Sequence, residues 1–246
     1  MSIARLDGGL TQPVMRRLNA VRQLSETAAT AFDKAIRRRV LHAGAGETLI
    51  SEGERPDRIR IVLSGWLSRY KLLEDGRRQI VNFILAGEIC DAFSYFLPRS
   101  DHSIDTLTPV AFSEIDREQF EDLIASDRTL MEAMWCESLV DRSIQREWAV
   151  NIGRRDALER VAHLLCEIFE RLRLVGLVEG YSCVFPVTQM DLADATGLSI
   201  VHLNRTLQEL RGAGLIVLRE RMLTIGDLDA LKGAGLFNPT YLPYLR

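Results

Sequence analysis

Residues 188–215 read TQMDLADATGLSIVHLNRTLQELRGAGL. The stretch predicts two short helices joined by a sharp bend. Thr188 is placed to cap the first helix, and Leu192 and Ala193 give it an inward face. Gly197 supplies the bend, because a residue without a Cβ takes positive φ at little cost. Ser199 then caps a second helix, whose Leu203, Leu207 and Leu210 form an apolar stripe turned toward the first. Ile200, Val201, His202, Asn204, Arg205 and Gln208 are left on or near the outward side. This is helix-turn-helix spacing. An ordinary helical hairpin in an all-α core has the same spacing, so the neighbouring sequence must separate the two.

Downstream, Leu215 to Leu218 and Met222 to Ile225 are short β-prone runs separated by Arg219, Glu220 and Arg221. They predict a small β-ribbon with arginines at its tip, followed by a helix opening at Asp227. A ribbon directly after a recognition helix is a wing, and tip arginines suit DNA phosphates. Taken singly, Arg219 or Arg221 reads as a solvated surface charge. The order helix, turn, helix, ribbon favours contact with nucleic acid instead.

The chain of 246 residues is long enough for two domains, each with its own core. Its 47% hydrophobic content excludes a disordered chain, and no apolar run approaches the roughly 20 residues needed to span a bilayer. The opening MSIARLDGGLTQP lacks the apolar core of a secretion signal, so a cytoplasmic location is expected. A net charge of −3 is compatible with sequence-specific DNA binding, which needs only a local positive face. The cysteines at 90, 136, 166 and 183 form no CxxC pair, which excludes a zinc ribbon and a disulfide framework. Cys136 and Cys166 read as packing residues. Cys183 reads either as a half-buried cysteine without consequence or as a redox-sensitive thiol, the former being favoured.

Residues 1 to about 40 have helical periodicity. Leu18, Val21, Arg22 and Leu24 suit a short amphipathic helix, and Ser25 caps a second one through Ala28, Ala31, Phe32, Ala35 and Ile36. From Val40 to about Ile115 the texture changes to short apolar runs punctuated by Gly46, Gly53, Gly65, Gly76 and Gly87. Runs such as Ile59–Leu63 and Gln79–Leu85, with EDGRR (74–78) as a hairpin tip, predict an antiparallel barrel or jelly roll. Helical pattern returns in DREQFEDLIASD, then in a long helix from about Arg128 to Asn151. There Leu130, Met134, Ile144 and Trp148 form one seam, and Met131, Trp135 and Leu139 an adjacent one. Glu137 and Asp141 interrupt the first seam, so this is no strict leucine zipper. A wholly intrachain helix is the alternative. Some six turns exceed what one small barrel covers, which favours one seam packing on the barrel and the other on a partner's identical helix. Asn151 to Arg155 is expected to break the helix, and Asp156 with Glu159 has capping-box spacing, so a hinge is expected at Gly153 and Asp156. The next helix, Ala157 to about Leu174, turns Leu158, Val161, Leu164, Leu165, Ile168, Phe169 and Leu172 inward. VGLVEGYSC is expected to be a loop.

With the glycine-spaced segment, the long helix with its Asp156 hinge, and TQMDLADATGLSIVHLNRTLQELRGAGLI in this order, the chain resembles the Crp/Fnr superfamily of bacterial transcription regulators from about Pro13 to Tyr241. The resemblance implies an α+β architecture. N-terminal helices and an antiparallel β-roll of the cyclic-nucleotide-binding, jelly-roll-like type span 1–127, a dimerisation helix and hinge 128–153, and a winged helix-turn-helix domain 154–246. It implies a homodimer through 128–151 that places two recognition helices, about 199–211, in successive major grooves roughly 34 Å apart on a palindromic site. Thr188, Gln189 and Ser199 match phosphate-holding positions at helix starts. Arg205 matches an arginine used on base edges, with guanine O6/N7 its natural partner, and His202 and Asn204 are further base-reading candidates. Val201 departs from the pattern. The family often carries a glutamate there, and valine offers only apolar contact such as to a thymine methyl.

The resemblance also directs attention to an effector pocket. Cyclic-nucleotide binding in this family uses a glutamate after the GE turn and an arginine–serine pair. Beyond Glu88, GEICDAF places Ala92 at the glutamate, and PRSDHSIDTL places Asp101 and His102 near the pair, with Arg99-Ser100 two residues away. Gln145 and Arg146 match positions facing the effector's base. An acid in the phosphate slot repels the ligand, so a cyclic nucleotide is not expected. Residues 1–40 hold no cysteine for an Fnr-type cluster. His42, His102 and Cys90 are the available haem ligands, each reading more simply as an ordinary surface or core residue. No cofactor or metal is expected, and any small-molecule effector stays unspecified. RNA polymerase is an expected partner, with EGERPD (52–57) and VGLVEGYS (175–182) as candidate contacts; no membrane partner is expected. The alternative from another class is a ligand-binding regulatory module, for a cyclic nucleotide, haem or other effector, whose C-terminal domain mediates protein contacts. Catalysis is not expected: there is no nucleophile–base pair, HExxH or P-loop.

Overall fold

The computed structural model describes residues 9–90 and 92–245; the expected N-terminal helical pattern before Gly9, and Asp91 within GEICDAF, lie outside them. Two compact units are present. One comprises the chain up to Arg69 together with Phe83–Asp141, the other Tyr70–Asn82 together with the chain from Arg142 onward.

The first unit opens with α1 (Gln12–Val21) and α2 (Glu26–Arg38). Helix α1 starts earlier than the periodicity indicates, with Pro13 in its first turn, and stops at Val21. Leu24 is therefore beyond it, buried, with its N–H held by Asn19 Oδ1 at 2.9 Å. Ser25 caps α2 by accepting from the Ala28 N–H, as its sequence position requires.

Eight strands follow: β1 (Val40–Ala43), β2 (Thr48–Ile50), β3 (Arg58–Ser64), β4 (Trp66–Leu72), β5 (Arg78–Leu85), β6 (Ile89–Cys90), β7 (Ser103–Thr106) and β8 (Val110–Asp116). They pair as β1-β8-β3-β6 and β2-β7-β4-β5, the jelly-roll order. Strand β3 shows why the two faces differ. Ile59, Ile61 and Leu63 join Leu18, Phe32, Ile36, Phe120 and Met134 in a core between sheet and helices. Val62, on the opposite face, joins Leu67, Ile84, Ile104 and Phe112 inside the roll. The period-2 alternation of one strand thus feeds two cores. Gly65 turns the chain between β3 and β4 at φ 90°, and a Cβ there would meet the Pro109 carbonyl oxygen at 2.6 Å.

Helix α3 (Arg117–Ser126) leads into α4 (Arg128–Arg154). Leu130, Met134, Ile144 and Trp148 are buried, whereas Met131, Trp135 and Leu139 are exposed, Trp135 at 59%. The interrupting acids have partners. Buried Glu137 accepts from Arg17 Nε at 2.5 Å, and Arg17 Nη1 also meets Glu88 at 2.9 Å. Asp141 meets Arg69 at 3.3 Å. The break expected over Asn151–Arg155 falls at the end of that stretch: α4 runs through Gly153 to Arg154 and gives way at Arg155–Asp156. One glycine in the last turn costs only about 1 kcal/mol against alanine.

The second unit is built on α5 (Ala157–Leu174), whose N-cap Asp156 forms a complete capping box with Glu159, both hydrogen bonds at 2.9 Å. Instead of the loop expected over VGLVEGYSC, there is a hairpin of β9 (Val178–Glu179) and β10 (Ser182–Val184). Its existence depends on a distant partner, since β10 pairs with β12 (Met222–Ile225), which pairs with β11 (Ile216–Arg219). Helices α6 (Gln189–Thr196), α7 (Ile200–Gly212) and α8 (Leu228–Ala234) complete the unit, α8 capped by Asp227 as expected.

A polar cluster is buried on α5 where the sequence pattern showed only apolar residues. Glu167 Oε1 accepts from Trp148 Nε1 and from Arg171 Nη1, each at 2.9 Å, and its Oε2 accepts from the Tyr241 hydroxyl at 2.9 Å. Arg171 also donates to Asn82 Oδ1 at 3.3 Å. His163 lies 3.1 Å from the Tyr241 hydroxyl, and burial, with Arg155 nearby, lowers its pKa to about 3. Every charge here is paired, which is what allows it to be buried.

Candidate nucleic-acid interface

Helix α6 begins at a capping box: Thr188 Oγ1 accepts from the Asp191 N–H at 3.1 Å, and Asp191 Oδ2 accepts from the Thr188 N–H at 3.1 Å. It ends at Gly197, left-handed at φ 63°, and the chain enters α7 at Ser199, which accepts from the His202 N–H at 3.2 Å. Leu203, Leu207 and Leu210 are buried beside Leu192 and Ala193. Thr196, also buried, returns its hydroxyl to the Leu192 carbonyl at 2.6 Å, so the bend contains no unpaired hydroxyl.

This packing fixes the opposite face of α7. Val201 is 81% exposed, Ile200, Arg205 and Gln208 are exposed, and His202 and Asn204 are half-buried. Thr188, Gln189 and Ser199, at the starts of the two helices, are exposed as well. The residues of the two helices expected to read or hold a duplex thus lie in one sequence-local assembly.

Strands β11 and β12 form the expected ribbon, with Arg219 opposite Met222. Its two-residue turn is Glu220-Arg221, both at positive φ, 49° and 61°. Such turns usually carry asparagine or glycine, so charged side chains are held here against backbone preference. Arg219 ends the strand instead of sitting in the turn, and Arg219 and Arg221 are both exposed. The turn is anchored, because the Phe185 N–H donates to the Arg221 carbonyl at 2.7 Å. A cleft between ribbon and helices is lined by Gln189, Leu192, Leu207, Arg211, Arg219 and Arg221.

The residues matched to an effector pocket are placed as follows. Glu88 is buried, its carboxylate turned to Arg17 and to the Leu85 N–H at 3.0 Å. Ala92 is buried. Asp101 is exposed and meets His102 Nδ1 at 2.8 Å, while the buried Ser100 hydroxyl donates to the His102 carbonyl at 2.8 Å. Arg99 is exposed. Gln145 and Arg146 belong to the second unit, where Gln145 Nε2 donates to the Val81 carbonyl at 3.0 Å and Arg146 to Ser143 Oγ at 2.8 Å. Among the haem candidates, His42 is exposed and Cys90 is buried. Cys183 is buried more deeply than its sequence reading, and that burial pushes its thiol up to about 12, as it does for Cys166. A thiol so held is a poor nucleophile.

Sequence reasoning missed Arg160 and Arg78. Arg160 donates to the carbonyls of Asn151, Ile152 and Arg155, and to Thr196 in α6. Arg78, in β5, reaches two aspartates of α6. Neither carries a local signal, because every partner is distant in sequence or is backbone.

Residues 40–127 match the model of the cyclic nucleotide-binding domain, and residues 159–234 that of the Crp-like helix-turn-helix domain. The chain is 32% identical over 200 residues to the nitrogen fixation regulation protein FixK of Bradyrhizobium diazoefficiens, covering 80% of this chain and 83% of that protein. The chain belongs to the Crp/Fnr family. A second Crp/Fnr relative is the transcriptional activatory protein AadR of Rhodopseudomonas palustris, 33% identical over 197 residues, 78% of this chain and 80% of that one. In fold the chain is similar to FixK2 from Bradyrhizobium japonicum, with a TM-score of 0.70 at 23% identity over 79% of this chain and 96% of that chain. As a Crp/Fnr member the protein is a DNA-binding transcription regulator and not an enzyme. Among the described residues no helix is long and apolar enough to cross a membrane.

Proposed function

We propose that the protein works as a homodimer that reads a palindromic promoter site with α7 in the major groove. The observation carrying this reading is the outward face of α7, where Val201, Arg205 and Gln208 are exposed while the opposite stripe is buried. Arg205 reads a guanine edge, with His202 and Asn204 beside it, and Val201 adds apolar contact. Thr188, Gln189 and Ser199 hold phosphates at the helix starts, and Arg219 and Arg221 hold them from the wing. Dimerisation runs through 128–151, supported by the exposed stripe of Met131, Trp135 and Leu139. The joint between the dimer helix and the reading unit lies at Arg155–Asp156, just after the α4 terminus that contains Gly153.

The effector region is proposed not to take a cyclic nucleotide. Ala92 offers no acceptor to a ribose, Glu88 is occupied by Arg17, and Asp101 brings a carboxylate toward the phosphate position. Contact with RNA polymerase through 52–57 or 175–182 belongs to the same proposal, and the name of the relative AadR, a transcriptional activatory protein, favours activation.

Selection from a randomised duplex library, read at two salt concentrations, tests this. The expected result is enrichment of an inverted repeat whose half-sites are one helical turn apart, with affinity falling steeply as salt rises. Enrichment of no sequence, or of single half-sites bound by a monomer, overturns it.

A further inference from the structure

The β4–β5 hairpin ends in the turn Leu73–Arg77, and its outer residues Tyr70–Asn82 belong to the second unit. Arg78 stands where β5 leaves this turn. Its guanidinium donates through Nη2 to Asp191 Oδ1 at 2.7 Å and through Nε to Asp194 Oδ2 at 2.8 Å. The next residue adds a contact to the same helix, as Gln79 Nε2 donates to the Asp194 carbonyl at 2.6 Å. Asp191 and Asp194 are three apart on α6 and so share a face, where two unneutralised carboxylates repel. One guanidinium between them removes that repulsion, and charge-assisted hydrogen bonds of this length are the strong kind.

Asp191 divides its oxygens between two tasks. Oδ2 closes the capping box with Thr188, while Oδ1 takes Arg78. The start of α6, where Thr188 and Gln189 face outward, is therefore set by a side chain more than a hundred residues away in sequence. The three groups are mostly covered, with side chains 26%, 10% and 21% exposed for Arg78, Asp191 and Asp194. Such a contact is screened less than an open surface pair.

We infer that Arg78 is a positioning residue for DNA binding: from the β4–β5 hairpin it grips α6 and holds the recognition helix in the orientation that meets the duplex. The inference rests on the proposed duplex-reading role of α7. It also gives the hairpin a task, since a segment that grips the helix-turn-helix is a route by which any change in the hairpin reaches the DNA-reading surface.

The full-length protein and the duplex it enriches from the random library provide the test. Arg78→Ala is expected to weaken binding about tenfold, with Arg78→Lys intermediate because an ammonium cannot fork between two carboxylates. The decisive arm is charge exchange, which a merely structural loss does not produce. Arg78→Asp with Asp194→Arg should regain most of the affinity lost in Arg78→Asp, beyond what Asp194→Arg adds alone. Wild-type affinity in Arg78→Ala, or no recovery in the exchanged pair, overturns the inference. If the wild-type protein enriches no duplex, the duplex-reading proposal fails by itself. Amide exchange in α6 then decides the grip: faster exchange in Arg78→Ala upholds it, and unchanged exchange removes it.

Discussion

Arg160 Nη1 donates to the Thr196 carbonyl at 2.7 Å, in the last turn of α6 beside the bend glycine. Its other nitrogens serve Asn151, Ile152 and Arg155, carbonyls that the end of α4 leaves without helical partners. One guanidinium therefore closes one helix and steadies another. It also explains how α4 tolerates Gly153 in its last turn. We expect Arg160→Ala to lower the stability of the second unit by about 2–3 kcal/mol, since several charge-assisted hydrogen bonds vanish together. Denaturant titration followed by Trp148 fluorescence measures it, and a change below about 0.5 kcal/mol would show that water replaces the guanidinium without loss.

Base reading is assigned to Arg205. Arg205→Ala should lose about 1–3 kcal/mol of discrimination at one position of each half-site while leaving the unfolding transition in place. A repeat of the library selection with this variant is the check. An identical preferred sequence would take Arg205 out of the reading set.

The exposed stripe on α4 makes a prediction about assembly. Replacing Trp135 or Leu139 by glutamate removes apolar area worth ~2 kcal/mol per side chain, and a two-fold interface feels each change twice. Sedimentation should show a dimer in the wild-type protein and a monomer in either variant at micromolar concentration. A dimer that survives both changes would place the interface elsewhere.

Acid sensitivity should trace partly to His163. Its folded pKa of about 3 lies below the ordinary value of 6.5, so the unfolded chain binds more protons between those limits. Stability contributed by the neutral imidazole is thus complete above about pH 6.5 and is lost as pH falls toward 3. The groups facing it are Glu147, at 3.6 Å, Arg155 and the Tyr241 hydroxyl. Burial raises the Glu167 and Glu137 carboxyls, which act in the opposite sense. The difference between wild type and His163→Gln isolates the histidine. Unfolding free energies at pH 7 and pH 4.5 should fall less in the variant, and equal falls would refute the assignment.

At the wing, Arg221→Gly should raise stability by about 1 kcal/mol, because glycine accepts φ near 60° without the penalty a side chain incurs. The same change should weaken duplex binding and reduce its salt slope by about one ion. Greater stability with unchanged binding would mean that Arg221 makes no phosphate contact.

The helix-turn-helix was readable because its determinants are local. Thr188, Gly197 and Ser199 act through backbone groups within three or four residues, and the leucine stripe follows helical period. The jelly roll was readable from strand alternation and turn glycines, although the strand pairing was not. What escaped was non-local. Strand β10 has only three residues and exists because β12 lies beside it. Glu167 occupies a position that reads as a charge on a helix face, yet it is fully buried because Trp148, Arg171 and Tyr241 converge on it. Gly153 was read as a breaker because its cost is visible in sequence, whereas the guanidinium that offsets it is not.

Because residues 70–82 count with the C-terminal unit, that unit is assembled from two separate pieces of chain. A single cut near residue 142 would strand Asn82 from Arg171 and Arg78 from α6. Grafting this DNA reader onto a different sensor therefore takes two splice points, with the hairpin carried over alongside the helices. A family that evolves by exchanging halves would have to alter the donor hairpin and the acceptor helix together, so their sequences should drift as a matched pair.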